Sequence, residues 1–234
     1  MATLPDFTFY YSPGACSQAV RLALHELSIP FKSVNTRRDA NHKIEAADGS
    51  LTAEEYRDQV HHKNYVPGFV ITFPDGHKES ITETPAILSY LASIRPEKGL
   101  AGKTELEKAK VLSWIVYFAG ELHGIGWGAF IAPKRFVDVS DKRLEEGVKE
   151  GGLRNIKAAY EHLEKQLQKS GGEWIVGDSV TLADVYSYVL YWWGVKHDLG
   201  MEKYERYTEI VKKLDARESA KKTLQEEELP AHFQ

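Results

Sequence analysis

The chain has a single cysteine, Cys16, in 234 residues. That excludes an internal disulfide framework and any dithiol redox cycle, and no Cys/His cluster has zinc-site spacing. An excess of positive charge is also missing: 30 Lys and Arg stand against 34 Asp and Glu, for a net charge of −4. This balance excludes a nucleic-acid surface or a polybasic membrane patch. No apolar run reaches the length of a membrane-spanning helix, and the opening Met-Ala-Thr-Leu-Pro-Asp lacks the basic and apolar regions of a secretory leader. A cytoplasmic protein is expected. Repeats and low-complexity segments are absent as well. What the chain does have is 42% hydrophobic residues, enough for one large core or two modest ones.

The first 95 residues alternate strand-like and helix-like runs. Phe7–Tyr11 reads as a strand, Ser17–Leu27 as a helix ended by Ser28-Ile29-Pro30, and Phe31–Thr36 as a second strand. The long polar stretch 37–64 holds a turn at Asp48-Gly49-Ser50 and a helix over 52–60, with Thr52 as N-cap and Glu55 at N3. Phe69–Phe73 and Lys78–Ile81, joined by Pro74-Asp75-Gly76, read as a hairpin, and Thr82–Leu91 as a helix. This order implies a mixed sheet covered by helices. We take 1–95 as one domain, 96–103 as a linker and 104–234 as an all-helical domain. In the last, 104–130 carries a 3.6-period apolar stripe, and 138–169 a second with a break or bend expected at Gly151-Gly152. Thr181–Trp193 and Lys203–Leu214 follow, and the charged final ten residues are expected to dock loosely. Thr181-Leu182-Ala183-Asp184, between Val180 and Val185 at staple positions, is a capping-box variant, which makes Asp184 a structural cap rather than a catalytic acid.

Cys16 lies at a strand-turn-helix junction, Tyr10-Tyr11-Ser12-Pro13-Gly14-Ala15-Cys16-Ser17. Unsatisfied N–H groups and the helix dipole favour an anion there, so the thiol is expected to have a lowered pKa and to react as thiolate. The competing reading is a small buried hydrophobe.

Three further segments carry a resemblance: Val66-Pro67 before a strand, Glu83-Thr84-Pro85-Ala86-Ile87 opening a helix, and Gly177-Asp178-Ser179-Val180-Thr181-Leu182-Ala183-Asp184. In this order, over nearly the whole chain, they resemble the soluble glutathione transferases. The resemblance implies a thioredoxin-like α/β N-terminal domain that binds glutathione and an all-α C-terminal domain that carries an electrophile pocket. Tyr11–Ser17 and Glu121-Leu122-His123 look most like the bacterial beta class, which uses a cysteine at the sulfur site with a histidine facing it across the domain cleft. Departures are the long 37–64 stretch, Val116 where an asparagine is common, and Gly124 where a lysine often follows the histidine.

On this resemblance Val66, held extended by a cis Pro67, offers its backbone N–H and C=O to the cysteinyl unit of glutathione. Glu83 pairs with the γ-glutamyl ammonium, and Thr84, at a helix start, holds the γ-glutamyl carboxylate. Arg38 or Lys43 meets the glycyl carboxylate. Three contenders remain at the sulfur: Cys16, Tyr11 (or Tyr10), and Ser17 (or Ser12). Any of them would favour the thiolate of glutathione by hydrogen bonding to it, and His123 would orient or protonate the sulfur. Trp127, Phe130 and Trp193 are candidates for the pocket wall, although aromatics at helical spacing are usually core. His25, His61 and His62 read as surface or loop residues. The implied protein is a homodimeric glutathione transferase acting on small hydrophobic electrophiles, with glutathione as co-substrate and no metal. Monothiol transferase or peroxidase activity is a second capacity. Alternatives on the same fold are a non-catalytic binding or scaffold protein, and a pathway-specific glutathione-dependent isomerase or dehalogenase.

Overall fold

Side chains of the first strand alternate between two apolar environments, and that alternation places it at the centre of the sheet. The structure, a computed structural model, describes residues 5–137, 142–231 and 233. Its strands are β1 (Asp6–Tyr11), β2 (Lys32–Arg38), β3 (Ile44–Ala46), β4 (Gly68–Thr72) and β5 (Lys78–Ile81), in the order β3-β2-β1-β4-β5. β1 runs parallel to β2, with Tyr10 opposite Val34, and antiparallel to β4, with Phe9 opposite Phe69. Phe7 stacks on Phe69 and Phe9 on Tyr11, whereas Tyr10 packs edge-on against Tyr56 in a separate cluster with Val34 and Ile44. The helices of this part are α1 (Ser17–Glu26), which makes the parallel crossover, α2 (Ala53–Gln59) and α3 (Thr84–Ser93). The Thr52–Glu55 capping box forms as expected.

The 37–64 stretch contains more than the expected turn and helix. β2 continues to Arg38 and doubles back into β3, whose three residues are too few to show a period. Asn64 serves as a surrogate neighbour for β3: its side-chain oxygen accepts from Ile44 N, and its Nδ2 donates to Ile44 O at 2.8 Å.

α4 (Glu105–Tyr117) starts at a Thr104–Glu107 capping box and runs through a π-helical segment, Phe118–Trp127, into α5 (Gly128–Ile131). α6 (Lys142–Ser170) passes Gly151-Gly152 without the expected break; residues 138–141 of that expected helix lie outside the described residues. Gly152 is a contact glycine, because a Cβ there would stand 2.7 Å from Phe130 N and 2.8 Å from Gly126 O. α7 (Leu182–Lys196) is almost wholly buried, and α8 (Glu205–Asp215) and α9 (Glu218–Glu226) follow.

The chain divides into two compact units, Met1–Lys98 with Asp215–Gln234, and Gly99–Leu214. The first break, between Lys98 and Gly99, falls inside the 96–103 stretch taken as a linker. The last twenty residues differ from expectation, because they join the sheet unit and not the helical one. Arg217 forms a two-pronged pair with Glu26 of α1, at 2.6 and 2.8 Å, which draws α9 onto that helix. Among the described residues no helix is long and apolar enough to cross a membrane.

Candidate functional site

The turn that carries Cys16 is built from short-range hydrogen bonds. Ala15 N donates to Ser12 O at 3.1 Å, and Gly14 sits at φ +68, where a side chain would be strained. Ser17 is wholly buried; its hydroxyl donates to Ser12 O at 3.1 Å and accepts from Ser12 N at 3.3 Å. Ser12 Oγ and Thr36 Oγ1 share a 2.7 Å bond, and Thr36 Oγ1 donates to Tyr11 O at 2.9 Å.

Cys16 is the N-cap of α1 and is 8% exposed. Its S–H donates to Val66 O at 3.5 Å. The Val66–Pro67 bond is cis. The residues before it are held by Asn64 and by the Tyr56 hydroxyl, which donates to Tyr65 O at 2.8 Å. Glu83, at φ +70, is the N-cap of α3, and Thr84, its first residue, is buried. The Thr84 hydroxyl hydrogen-bonds toward the Cys16 sulfur, and the Glu83 charge acts on that sulfur. Cys16, Val66, Glu83 and Thr84, from three separate parts of the chain, therefore meet in one place within the sheet unit.

The thiol is not the low-pKa group that its position predicts. Burial pushes it up from an ordinary 9.0 to about 11, and the Glu83 charge adds to the rise. The Thr84 hydroxyl and the N–H groups of Cys16 and Ser17 pull downward but do not prevail. We expect iodoacetamide labelling of this sole cysteine at pH 8 to be about a hundredfold slower than for a thiol of ordinary pKa, with the rate still rising above pH 10. A rate that levels off below pH 9 would contradict this.

His61, expected at the surface, is 3% exposed. Burial lowers its pKa while the nearby Glu83 charge pulls it upward, so it belongs to the surroundings of this site. Its ring lies 5.7 Å from that of Tyr65, and Lys63 N donates to its Nδ1 at 3.3 Å. His25 is likewise no free surface group, since its Nε2 lies 3.1 Å from Glu226 Oε2. The side chains of the other sulfur contenders are engaged elsewhere. Ser17 pins the turn by the two bonds above, Tyr10 faces Tyr56, and the Tyr11 ring lies under the Arg21 guanidinium, 4.0 Å from its centroid. Arg38 donates to His42 O at 2.8 Å in the exposed β2–β3 turn, and Lys43 follows in the same turn.

In the helical unit, His123 stands on the π-helical segment, a geometry frequent at functional sites. Its Nδ1 and the Tyr186 hydroxyl share a 2.9 Å bond, and its ring meets Trp193 edge-on at 4.9 Å. Burial, with a lesser contribution from Arg135, pushes its pKa down to about 4, so the ring is neutral at physiological pH. Trp127, expected at a pocket wall, is a correction: it is 1% exposed and packs edge-on against Phe130 and Trp193. Phe130 and Trp193 are half-buried. Among the described residues no group of three or more His, Cys, Asp or Glu side chains is placed to hold a metal ion.

A family model described as "Glutathione S-transferase, C-terminal domain" matches residues 138–233. The glutathione S-transferase GstA of Escherichia coli O157:H7 is 25% identical over 221 residues, 94% of this chain and 98% of that protein. The structure of a sphingomonad glutathione S-transferase complexed with glutathione superposes with a TM-score of 0.74 at 27% identity, covering 95% of this chain and all of that one. Over nearly its whole length the chain is thus similar to glutathione transferases, and over 138–233 it matches their C-terminal domain model. The similar proteins do not all carry one name: a probable maleylacetoacetate isomerase of Drosophila melanogaster is 28% identical over 185 residues, 79% of this chain and 67% of that protein. In this chain, sequence reasoning missed Asn64 and His61. Asn64 had one local signal: an asparagine shortly before a proline suits a left-handed residue, and its φ is +57. His61 had none, since only folding buries it.

Proposed function

We propose that this chain is a glutathione-dependent transferase whose sheet unit binds and activates glutathione. The observation that carries the reading is the convergence of Cys16, Val66, Glu83 and Thr84 at the start of two helices and one cis peptide. Val66 would pair with the cysteinyl backbone of glutathione. Glu83 would take the γ-glutamyl ammonium, and Thr84 and the α3 N-terminus the γ-glutamyl carboxylate.

A thiol with a pKa of about 11 stays protonated at neutral pH, which makes Cys16 a hydrogen-bond donor before it is a nucleophile. In this reading glutathione displaces the Cys16–Val66 bond. Val66 O then becomes free to accept from the tripeptide, and the Cys16 S–H turns to the incoming sulfur. Donation to that sulfur favours its thiolate, which attacks an electrophilic carbon; a C–S bond forms as the leaving group departs with its electron pair or the acceptor double bond takes up a proton. The electrophile class is small and hydrophobic. Arg38 and Lys43 remain the candidates for the glycyl carboxylate. Thiol transfer through a Cys16–glutathione mixed disulfide is the slower second capacity, because it needs the thiolate that burial suppresses.

Titration calorimetry with glutathione, followed by conjugation of a chloro-dinitro aromatic, tests the reading. Wild type is expected to bind and conjugate. Cys16→Ala should keep binding within about threefold and lose about 10- to 100-fold in kcat/KM, the worth of one hydrogen bond to a charged sulfur. No binding at millimolar glutathione, or an unchanged rate in Cys16→Ala, would overturn it.

A further inference from the structure

The last part of the sheet unit brings one carboxylate to the cysteine turn and a second to α1. Arg21 of α1 is 1% exposed; its Nη1 donates to Glu226 Oε2 at 2.6 Å and its Nε to Glu227 Oε1 at 3.1 Å. Glu227, just past α9, has a fully enclosed side chain. Its second oxygen, Oε2, accepts from Gly14 N at 2.9 Å and from Gln18 Nε2 at 3.4 Å. One carboxylate thus joins the turn before Cys16, the first turn of α1 and the Arg21 guanidinium. Such a buried charge is tolerated only with this set of donors around it. Glu226 and Glu227, in the stretch expected to dock loosely, are therefore held firmly against α1 and the cysteine turn, and the Leu229 methyl groups lie over Gly14 as well.

We propose that Glu227 is a positioning residue for Cys16, holding the Pro13–Ala15 turn so that the sulfur stays buried on Val66. Gly14 precedes α1, and its N–H points to Glu227 rather than into the helix. Cys16 is two residues away, so a displaced Gly14 moves the N-cap and its thiol together. The inference rests on reading Cys16 as the sulfur-site residue, but its test needs no glutathione. Failure of one can therefore be told from failure of the other.

The test is iodoacetamide labelling of Cys16 in the full chain between pH 7 and 11, with thermal unfolding recorded in parallel. Glu227→Ala is expected to raise the labelling rate at pH 8 by about tenfold or more and to shift the pH midpoint downward, as the thiol meets water. Glu227→Gln, which still accepts from Gly14 N, should stay within about threefold of wild type. Glu226→Ala, which removes the other Arg21 pair and leaves the Gly14 bond, should also stay close to wild type. If Glu227→Ala does not fold, Glu227→Asp keeps the charge for Arg21 but falls short of Gly14, and should give an intermediate rise. A folded Glu227→Ala or Glu227→Asp with the wild-type pH profile would overturn the proposal. So would an equal effect of Glu226→Ala, which would make the response one of helix docking in general.

Discussion

Replacing Glu83 with glutamine is expected to weaken glutathione binding by about 10- to 100-fold, the worth of one hydrogen bond between charged groups. Glutamine keeps the size of the side chain and leaves the φ of +70 no better and no worse, so the variant removes a charge and little else. The lost charge has electrostatic consequences as well. Glu83 raises the pKa of both Cys16 and His61. Without it the Cys16 thiol should label faster with iodoacetamide, and the His61 pKa should fall further. Lower affinity together with faster labelling would also follow from general loosening of the fold, so an unchanged melting temperature is what assigns the pair of effects to the lost charge. Glutathione affinity equal to wild type in Glu83→Gln would remove Glu83 from the ammonium site and leave the proposed pose without its cation contact.

The second large effect is on stability. Asp184 is fully buried at the start of α7 and accepts from Ile175 N, Thr181 N and Thr181 Oγ1, each at 2.8 Å. Asp184→Ala leaves two buried N–H groups and one hydroxyl without their acceptor, and should cost about 3 to 5 kcal/mol, a large share of a typical domain's stability. Burial also pushes the Asp184 carboxyl up from 3.8 to about 6, against the pull of these donors. The folded state therefore holds this proton more tightly than the unfolded one. Asp184's contribution is largest below pH 4, declines as pH rises from about 4 to about 6, and is flat above. Urea unfolding from pH 4 to 8 measures both effects, and the decline between pH 4 and 6 should vanish in Asp184→Ala. A loss below about 1 kcal/mol would mean that water replaces the carboxylate in that core.

Much of the fold was legible because it is written within a few neighbouring residues. The Thr52–Glu55 and Thr181–Asp184 boxes, the strand-turn-helix around Pro13-Gly14, and the β4–β5 hairpin each depend on side chains within about one turn of the element they start or stop. The convergence of Val66, Glu83 and Thr84 with Cys16 came from family resemblance, since no local rule joins residues so far apart. β3 escaped notice because three residues have no period, and Gly151-Gly152 misled because a glycine pair reads as a break when its partner helix is unseen.

By itself, then, the sequence determined where strands and helices begin, that the halves differ in class, and that one cysteine stands alone at a helix start. Those are properties of backbone preference and local hydrogen bonding. Only the tertiary structure decided what that cysteine is. Its position at a helix N-terminus promised a thiolate, but burial against Val66 and the charge of Glu83 outweigh the nearby N–H groups and keep it a thiol. The same holds for Tyr11 beneath Arg21, for buried His61, and for Glu227 clasping Gly14 from the far end of the chain. Desolvation and charge act between groups brought together in space, so a residue's chemistry is set by neighbours that its sequence position does not name.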